Sequence, residues 1–382
     1  MQTSSRSQVD PFIVMDVMEA ARAAETMGRR IIHMEVGQPG TPAPRAARQA
    51  LARALERDAL GYTVALGLPD LRAGIAALYR RWYGIDLDPA RVIVTSGASG
   101  AFLLAFTALF DAGQRVALGV PGYPSYRQIL RALSLEPVGL ETTAATRYQP
   151  TAAQVADTPD LAGLILASPG NPTGTMLDRP AMADLMAAAR ARGLNVISDE
   201  IYHGLHYDQR AVSALEISND VCVVNSFSKY FSMTGWRVGW MVVPDALVRT
   251  VERLAQNMFI CPPHASQIAA LAALGATDEC DANRVAYAEN RRLMLNGLPR
   301  AGFDRIAPPD GAFYIYADVS HLTGDSRSFC TEVLEKAGVA ITPGLDFDAR
   351  RGHATVRFSY AGSTDDIREG LARLTRFMAQ RG

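Results

Sequence analysis

From about residue 45 to about residue 245, short and continuously apolar runs alternate with longer segments of helical period. No other feature restricts the fold as strongly. The helical segments are APRAARQALARAL, AFLLAFTALF, SYRQILRAL, a stretch near TAAQVAD and the long DRPAMADLMAAARARG. Between and after them lie VIVT, RVALGV, PVGLE, GLILAS, NVISDE, CVVNS and RVGWMVV. A strand that is apolar on both sides has both faces covered, and strands joined through helices run parallel. The expected fold class is α/β, a mostly parallel sheet covered by helices. After Pro244 the texture changes. Helical segments run to about residue 300, followed by GAFYIYADV, a helix near SFCTEVLEKAG, VAITPG, TVRFSYA and a terminal helix from about Thr364. These segments read as a smaller α+β unit. The expected division is a large domain of residues 45–285 and a small domain of residues 1–44 plus 286–382, with the first forty-odd residues packing on it as an arm. A chain of 382 residues suits two domains.

Open parallel sheets bind ligands beyond the carboxyl ends of their strands. Here VIVT runs into Ser96-Gly-Ala-Ser-Gly, RVALGV into Pro121-Gly-Tyr-Pro, and LILAS into Pro169-Gly-Asn-Pro-Thr-Gly. NVIS runs into Asp199-Glu-Ile-Tyr, and CVVNS into Phe227-Ser-Lys. Any one of these is compatible with an ordinary turn. Five at one sheet edge describe a site. SGASG opening a helix suits an anion, because small residues admit phosphate to backbone N–H groups and the helix N-terminus favours negative charge. It is not a Walker loop, and no dinucleotide GxGxxG follows a strand.

Lysine usage narrows the chemistry. Lys229 and Lys336 are the only lysines among 38 basic residues. Lys336 lies in an amphipathic helical pattern as a solvated charge. Lys229 sits in SFSKYFSMTGWRVG, and Arg cannot replace an amine that must lose its proton and attack a carbonyl. The formal net charge is −1 with no long like-charge run, which argues against nucleic acid or a membrane surface as partner. No stretch approaches 18 uncharged apolar residues, and the start lacks a signal-peptide pattern, so a cytoplasmic protein is expected. Cys222, Cys261, Cys280 and Cys330 are scattered, without disulfide or zinc spacing.

The segment Ser226-Phe-Ser-Lys229-Tyr-Phe-Ser-Met-Thr-Gly-Trp-Arg237-Val-Gly239 meets every position of the lysine signature of the class I/II aminotransferase family. The chain resembles these fold-type I, aspartate aminotransferase-like, pyridoxal-phosphate enzymes over nearly its whole length. VGQPGTPAP, GYTVALGLPDLR, SPGNPTG, SDEIY, DGAFYIYADV and TVRFSYAGS extend the match. The resemblance implies pyridoxal 5'-phosphate held as a Schiff base by Lys229, which also moves the proton at the substrate Cα. It implies Asp199 at the pyridine nitrogen, Asn171 and Tyr202 at the phenolic oxygen, and Tyr123 stacked on the ring. Ser226, Arg237, Ser99 and the backbone of Ala98 are expected on the phosphate. Tyr62 is expected at the phosphate of a neighbouring subunit, which makes the working unit a homodimer with shared active sites. Arg357 is expected to take the substrate α-carboxylate, with Asn171 and the backbone of Gly37 beside it.

The implied activity is amino transfer between an L-amino acid and a 2-oxo acid. A carbon–sulfur β-lyase or related elimination enzyme on the same scaffold is the alternative, since the cofactor residues are shared. A ligand-sensing regulator would carry a helix-turn-helix ahead of this fold, and the pattern here begins within the first dozen residues. Asp199, Glu200, His203 and His206 fall within eight residues, but Asp199 is assigned to the ring and no metal is expected. No second cation for a distal substrate carboxylate is assignable, and Ser99 stands where some acidic-substrate relatives carry Lys. That favours apolar or aromatic donors over aspartate, with 2-oxoglutarate or pyruvate as acceptor.

Overall fold

A computed structural model describes residues 1–381 of the chain. The chain begins with α1 (Ile13–Thr26) and β1 (Ile32–His33), then α2 (Arg45–Arg57) and α3 (Pro69–Tyr83). The alternating region follows: β2 (Val92–Thr95), α4 (Gly97–Leu109), β3 (Arg115–Val120), α5 (Pro124–Ala132), β4 (Glu136–Glu141), α6 (Ala152–Asp157), β5 (Leu161–Ala167), α7 (Arg179–Ala191), β6 (Asn195–Asp199), β7 (Cys222–Ser226) and β8 (Gly239–Val242). Three helices come next, α8 (Asp245–Met258), α9 (His264–Ala273) and α10 (Thr277–Gly297). The remainder is β9 (Arg305–Ile306), β10 (Tyr314–Asp318), α11 (Ser326–Glu332), β11 (Val339–Ala340), β12 (Thr342–Pro343), β13 (Thr355–Ser359) and α12 (Thr364–Arg381).

Seven strands form one sheet in the order β2-β8-β7-β6-β5-β3-β4. All run parallel except β8, which is antiparallel to both neighbours. The crossovers between parallel strands are helical except the one from β6 to β7, and helices lie on both faces of the sheet, so each apolar run is covered twice. Ile93, Leu118, Ile165, Ile197, Val224 and Met241 pack with α4, α5 and α8. Val94, Ala117, Leu164, Val196, Val223 and Trp240 point to the other face, toward α3, α7 and α9. These twelve side chains are essentially buried, which explains why the strands read as continuous apolar runs rather than alternating ones. Local signals set the helix ends. Asp178 accepts from the Ala181 N–H at 2.8 Å ahead of α7, and Thr151 with Gln154 forms a capping box at α6.

The second sheet has the order β12-β13-β10-β9 and is antiparallel. Apart from it, β1 pairs in parallel with β11, which joins the N-terminal arm to the C-terminal part of the chain. The fold class is the expected α/β arrangement with a smaller α+β unit. Two helices had no counterpart in the sequence reading. Helix α1 is one, and its first N–H groups, those of Ile13 and Val14, are taken by the buried Asp346 carboxylate at 3.0 and 3.2 Å. The other is α3, opened by Pro69 and closed by Gly84 in the left-handed conformation. The thiols of Cys222, Cys261, Cys280 and Cys330 are free. No helix among the described residues is long and apolar enough to cross a membrane.

Candidate active site

The carboxyl ends of β2, β3, β5, β6 and β7 converge on a cavity of about 250 Å³. Of the residues singled out from sequence, Gly37, Ala98, Ser99, Tyr123, Asn171, Asp199, Tyr202, Lys229, Arg237 and Arg357 all line it. The antiparallel strand β13 delivers Arg357 from the second sheet, so both sheets contribute.

One end of the cavity is an anion cradle. Gly97 opens α4 at φ +72°, and a Cβ there would collide with the Arg237 guanidinium. The glycine therefore lets a helix N-terminus and an arginine face the same space, a donor set suited to phosphate. Ala98, Ser99, Ser228 and Thr234 complete that wall. Ser226 differs from expectation: it is absent from the lining. Its hydroxyl donates to the Val238 carbonyl at 3.1 Å and shares a 2.8 Å hydrogen bond with the Ser228 hydroxyl. Two residues further along the chain, Ser228 reaches the cavity instead.

Asp199 is buried in the wall. Its Oδ2 accepts from the Tyr126 hydroxyl and its Oδ1 from the Ile201 N–H at 3.0 Å. Burial pushes its pKa up to about 6, while the two hydrogen bonds and the Lys229 charge oppose that rise. Lys229 Nζ donates to the Gly37 carbonyl at 2.6 Å. Its pKa is pushed down to about 8, first by burial, then by the positive charge of Arg357, with Asp199 pulling the other way and Arg237 adding to the depression. An amine near neutrality is suited to attack a carbonyl or to accept a proton. Gly37 has a steric reason as well, because a Cβ there would strike the Tyr314 hydroxyl.

Arg357 is buried, with its guanidinium centre 4.4 Å from the Tyr314 ring and 4.7 Å from the Phe347 ring. It donates to Asn171 Oδ1 at 2.9 Å and to the Glu35 carbonyl, and its Nε has no partner. Among the described residues no carboxylate lies within ion-pair distance of it. A buried, stacked and uncompensated guanidinium is a carboxylate site in waiting. The Tyr202 and Tyr314 hydroxyls share a 2.8 Å hydrogen bond on the adjoining wall.

Sequence reasoning missed Tyr126, which holds Asp199, and it missed Phe12, Val14 and Met15, which cover the cavity from the start of α1. Tyr126 follows an ordinary turn and carries no separate signal. Tyr62 lies outside the cavity with 83% of its surface exposed. Asp199, Glu200, His203 and His206 do not converge on one point: Glu200 is bound by Ser198, Ser213 and the Ala214 N–H, while His203 bridges the Tyr83 hydroxyl and the Ser168 carbonyl.

The model of the aminotransferase class I and II family matches residues 29–374. The chain belongs to this family. It is 50% identical over 374 residues to the valine–pyruvate aminotransferase of Mycobacterium tuberculosis, a match covering 97% of this chain and 96% of that one. A solved aminotransferase from Mycobacterium tuberculosis superposes with a TM-score of 0.97 at 48% identity, covering 100% of both chains. The Thermus thermophilus aspartate aminotransferase solved with maleate gives a TM-score of 0.92 at 31% identity, covering 99% of this chain and 100% of that one. The chain is thus a transaminase with an aspartate aminotransferase-like fold, and amino-group transfer is favoured over elimination.

Proposed function

We propose that the chain moves the amino group of an aliphatic L-amino acid such as valine to a small 2-oxo acid such as pyruvate, with pyridoxal 5'-phosphate in the cavity described above. The observation that carries this reading is Arg357, a buried guanidinium without a carboxylate partner, in the same cavity as the depressed amine of Lys229. The cavity fits the cofactor by its chemistry, with an anion cradle at Gly97 and Arg237 and a buried carboxylate at Asp199. When bound, pyridoxal phosphate supplies an aldehyde and an electron-withdrawing ring.

The chain's own residues divide the remaining work. Arg237, Ser99, Ser228 and the backbone N–H of Ala98 grip the phosphate, with Ser226 behind Ser228. Asp199 holds a proton on the pyridine nitrogen, and Tyr126 keeps that carboxylate ionised and oriented. Asn171 and Tyr202 donate to the phenolic oxygen, and Tyr123 covers the ring. Lys229 holds the cofactor through Nζ and later carries the proton at the substrate Cα. Arg357 fixes the α-carboxylate, so that the Cα–H bond is presented to Lys229 rather than left to tumble.

The side-chain end of the cavity supports an apolar donor. Phe12, Val14, Met15, Val36 and Ile129 are among the apolar residues that line the cavity, and its cations are Lys229, Arg237 and Arg357, which serve the cofactor, its phosphate and the α-carboxylate. The valine and pyruvate in the name of the Mycobacterium tuberculosis relative point the same way. In this reading residues 45–285 hold the cofactor, and residues 1–44 with 286–382 close over the substrate. The unit is a cytoplasmic homodimer in which Tyr62, exposed on its own chain, serves the partner's phosphate. Steady-state rates on a donor panel with pyruvate and 2-oxoglutarate test the proposal. The expected result is a higher kcat/KM for valine than for aspartate, with the new amino acid recovered as product. A marked preference for aspartate, or ammonia in place of the second amino acid, would overturn it.

A further inference from the structure

A second cavity of about 470 Å³ lies behind the first, between α1 and the segment after β1. The two share Met15, Val36 and Gln38 as a common wall. Glu35, next in sequence to Val36, lines the second cavity and is buried. Its Oε1 meets His33 Nδ1 at 2.8 Å, and its Oε2 is buried without a partner. The other ring nitrogen of His33 meets Glu25 of α1 at 3.1 Å. A carboxylate removed from water is strongly disfavoured unless paired, so this glutamate depends on one imidazole.

The backbone at this point is part of the site. The Met34 N–H donates to Ala340 and its carbonyl accepts from Ser359, which fixes residue 34 on both sides. The next carbonyl, that of Glu35, accepts from Arg357 and from the Thr342 hydroxyl. Two residues later the Gly37 carbonyl accepts from Lys229. The β1–β11 ladder closes with the Met34 N–H; beyond it the Glu35 carbonyl is held by the Thr342 hydroxyl, and the Glu35 side chain itself is tied down among the described residues by His33 alone.

We propose that His33 and Glu35 are positioning residues for substrate carboxylate binding: their pair fixes the Glu35 peptide, that peptide fixes the plane of the Arg357 guanidinium, and the bond from His33 to Glu25 ties α1, with Phe12, Val14 and Met15, to the same strand. The proposal rests on the reading that Arg357 receives the substrate carboxylate. Its pH dependence follows from the charges around His33. These are Glu35, Glu25 of α1 and Asp366 of α12, the last paired with Arg30 at 3.0 Å; the Glu19–Arg22 pair of α1 also lines the second cavity. The hydrogen bond to Glu35 leads in pushing the imidazole up to about 9, against burial. A raised imidazole pKa means that the clasp is complete below the ordinary histidine range and is lost as pH climbs through about 9.

The test is calorimetric binding of isovalerate to the purified holoenzyme between about pH 7 and pH 10.5, a range in which this amine-free carboxylate does not titrate. His33→Phe leaves Glu35 unpaired and is expected to weaken binding about tenfold at pH 7, the scale of one charge-assisted hydrogen bond. The ratio to wild type should close toward one above pH 9.5 or so, as the wild type loses its own imidazolium. Glu35→Gln removes the buried charge yet keeps a partner for His33, and should bind within about twofold of wild type with a flatter pH profile. The double variant His33→Phe/Glu35→Gln keeps the test open if His33→Phe alone does not fold. In kinetics, KM should rise while kcat at saturating donor holds. Arg357→Gln, measured in parallel, separates the two readings. Unchanged isovalerate binding in Arg357→Gln overturns the carboxylate assignment itself. Weakened binding there, with wild-type binding or a pH-independent ratio in His33→Phe, overturns the positioning role alone.

Discussion

Arg357→Gln separates a binding arginine from a structural one. In the free protein the guanidinium donates to Asn171 Oδ1, the Glu35 carbonyl and, at 3.5 Å, the Thr342 hydroxyl, with an unpartnered Nε and no carboxylate within ion-pair distance. A substrate carboxylate would add two charge-assisted bonds. At about 1.5–3 kcal/mol each, and allowing for overlap, their loss costs roughly 3–4 kcal/mol of transition-state binding. At 1.36 kcal/mol per decade, kcat/KM should fall by about two to three orders of magnitude. Most of the loss should appear in KM, because the contact exists in the ground state too. Stability should hardly change, since the variant also removes an uncompensated buried charge, and the Glu35 carbonyl keeps the Thr342 hydroxyl at 2.8 Å. Arg357→Lys keeps the charge but loses the planar fork, so it should fall between the two. Initial rates over a donor series, together with thermal unfolding, read both sides. A kcat/KM within twofold of wild type, or a loss matched by unfolding, would refute the reasoning.

Four further outcomes follow. Lys229→Ala should abolish turnover while leaving the fold intact; borohydride should fix the cofactor on the Lys229 peptide of the wild type only, as mass spectrometry would report. Tyr126→Phe removes the hydrogen bond that opposes the raised pKa of Asp199, so kcat should drop about tenfold and the acidic limb of its pH profile should move upward. Tyr62→Phe should weaken cofactor retention, and mixing with Lys229→Ala chains should restore it at the surviving sites if Tyr62 serves the partner; no rescue in hybrids would place it elsewhere. His203, pushed down to about 3 chiefly by burial, is kept neutral in the fold. Its depressed pKa means that stability is complete above the ordinary histidine range and drains as pH falls from about 6.5 toward 3. The acid limb of a thermal melting profile should flatten in a His203→Gln variant that folds.

How much of this was readable depends on what each residue has to satisfy. Lys229, Asp199 and Asn171 stand where apolar strands give way to polar loops, and the Lys229 signature is itself a local string. Their positions follow from the rule that parallel strands deliver ligand contacts at their carboxyl ends. Arg357 was legible for a different reason, since a lone arginine inside an apolar strand needs a partner. Tyr126 and Phe12 carry no such mark. Tyr126 looks like any inward residue of an amphipathic helix, and only the fold brings its hydroxyl to Asp199 across 73 positions of chain. Phe12 reaches the cavity because Asp346, 333 positions beyond Ile13, caps the helix that follows it. Ser226 shows the reverse limit. Residues two apart in a strand would share a face, but β7 ends at Ser226 and the chain turns at Phe227, so the motif names Ser226 while the turn brings Ser228 to the cavity. Local pattern locates the edge of the sheet where chemistry happens, and contacts made over hundreds of residues select the side chains that complete it. The His33–Glu35 clasp belongs to the second kind: two residues apart in sequence, the pair gains its meaning only from Arg357 on a strand more than three hundred residues away.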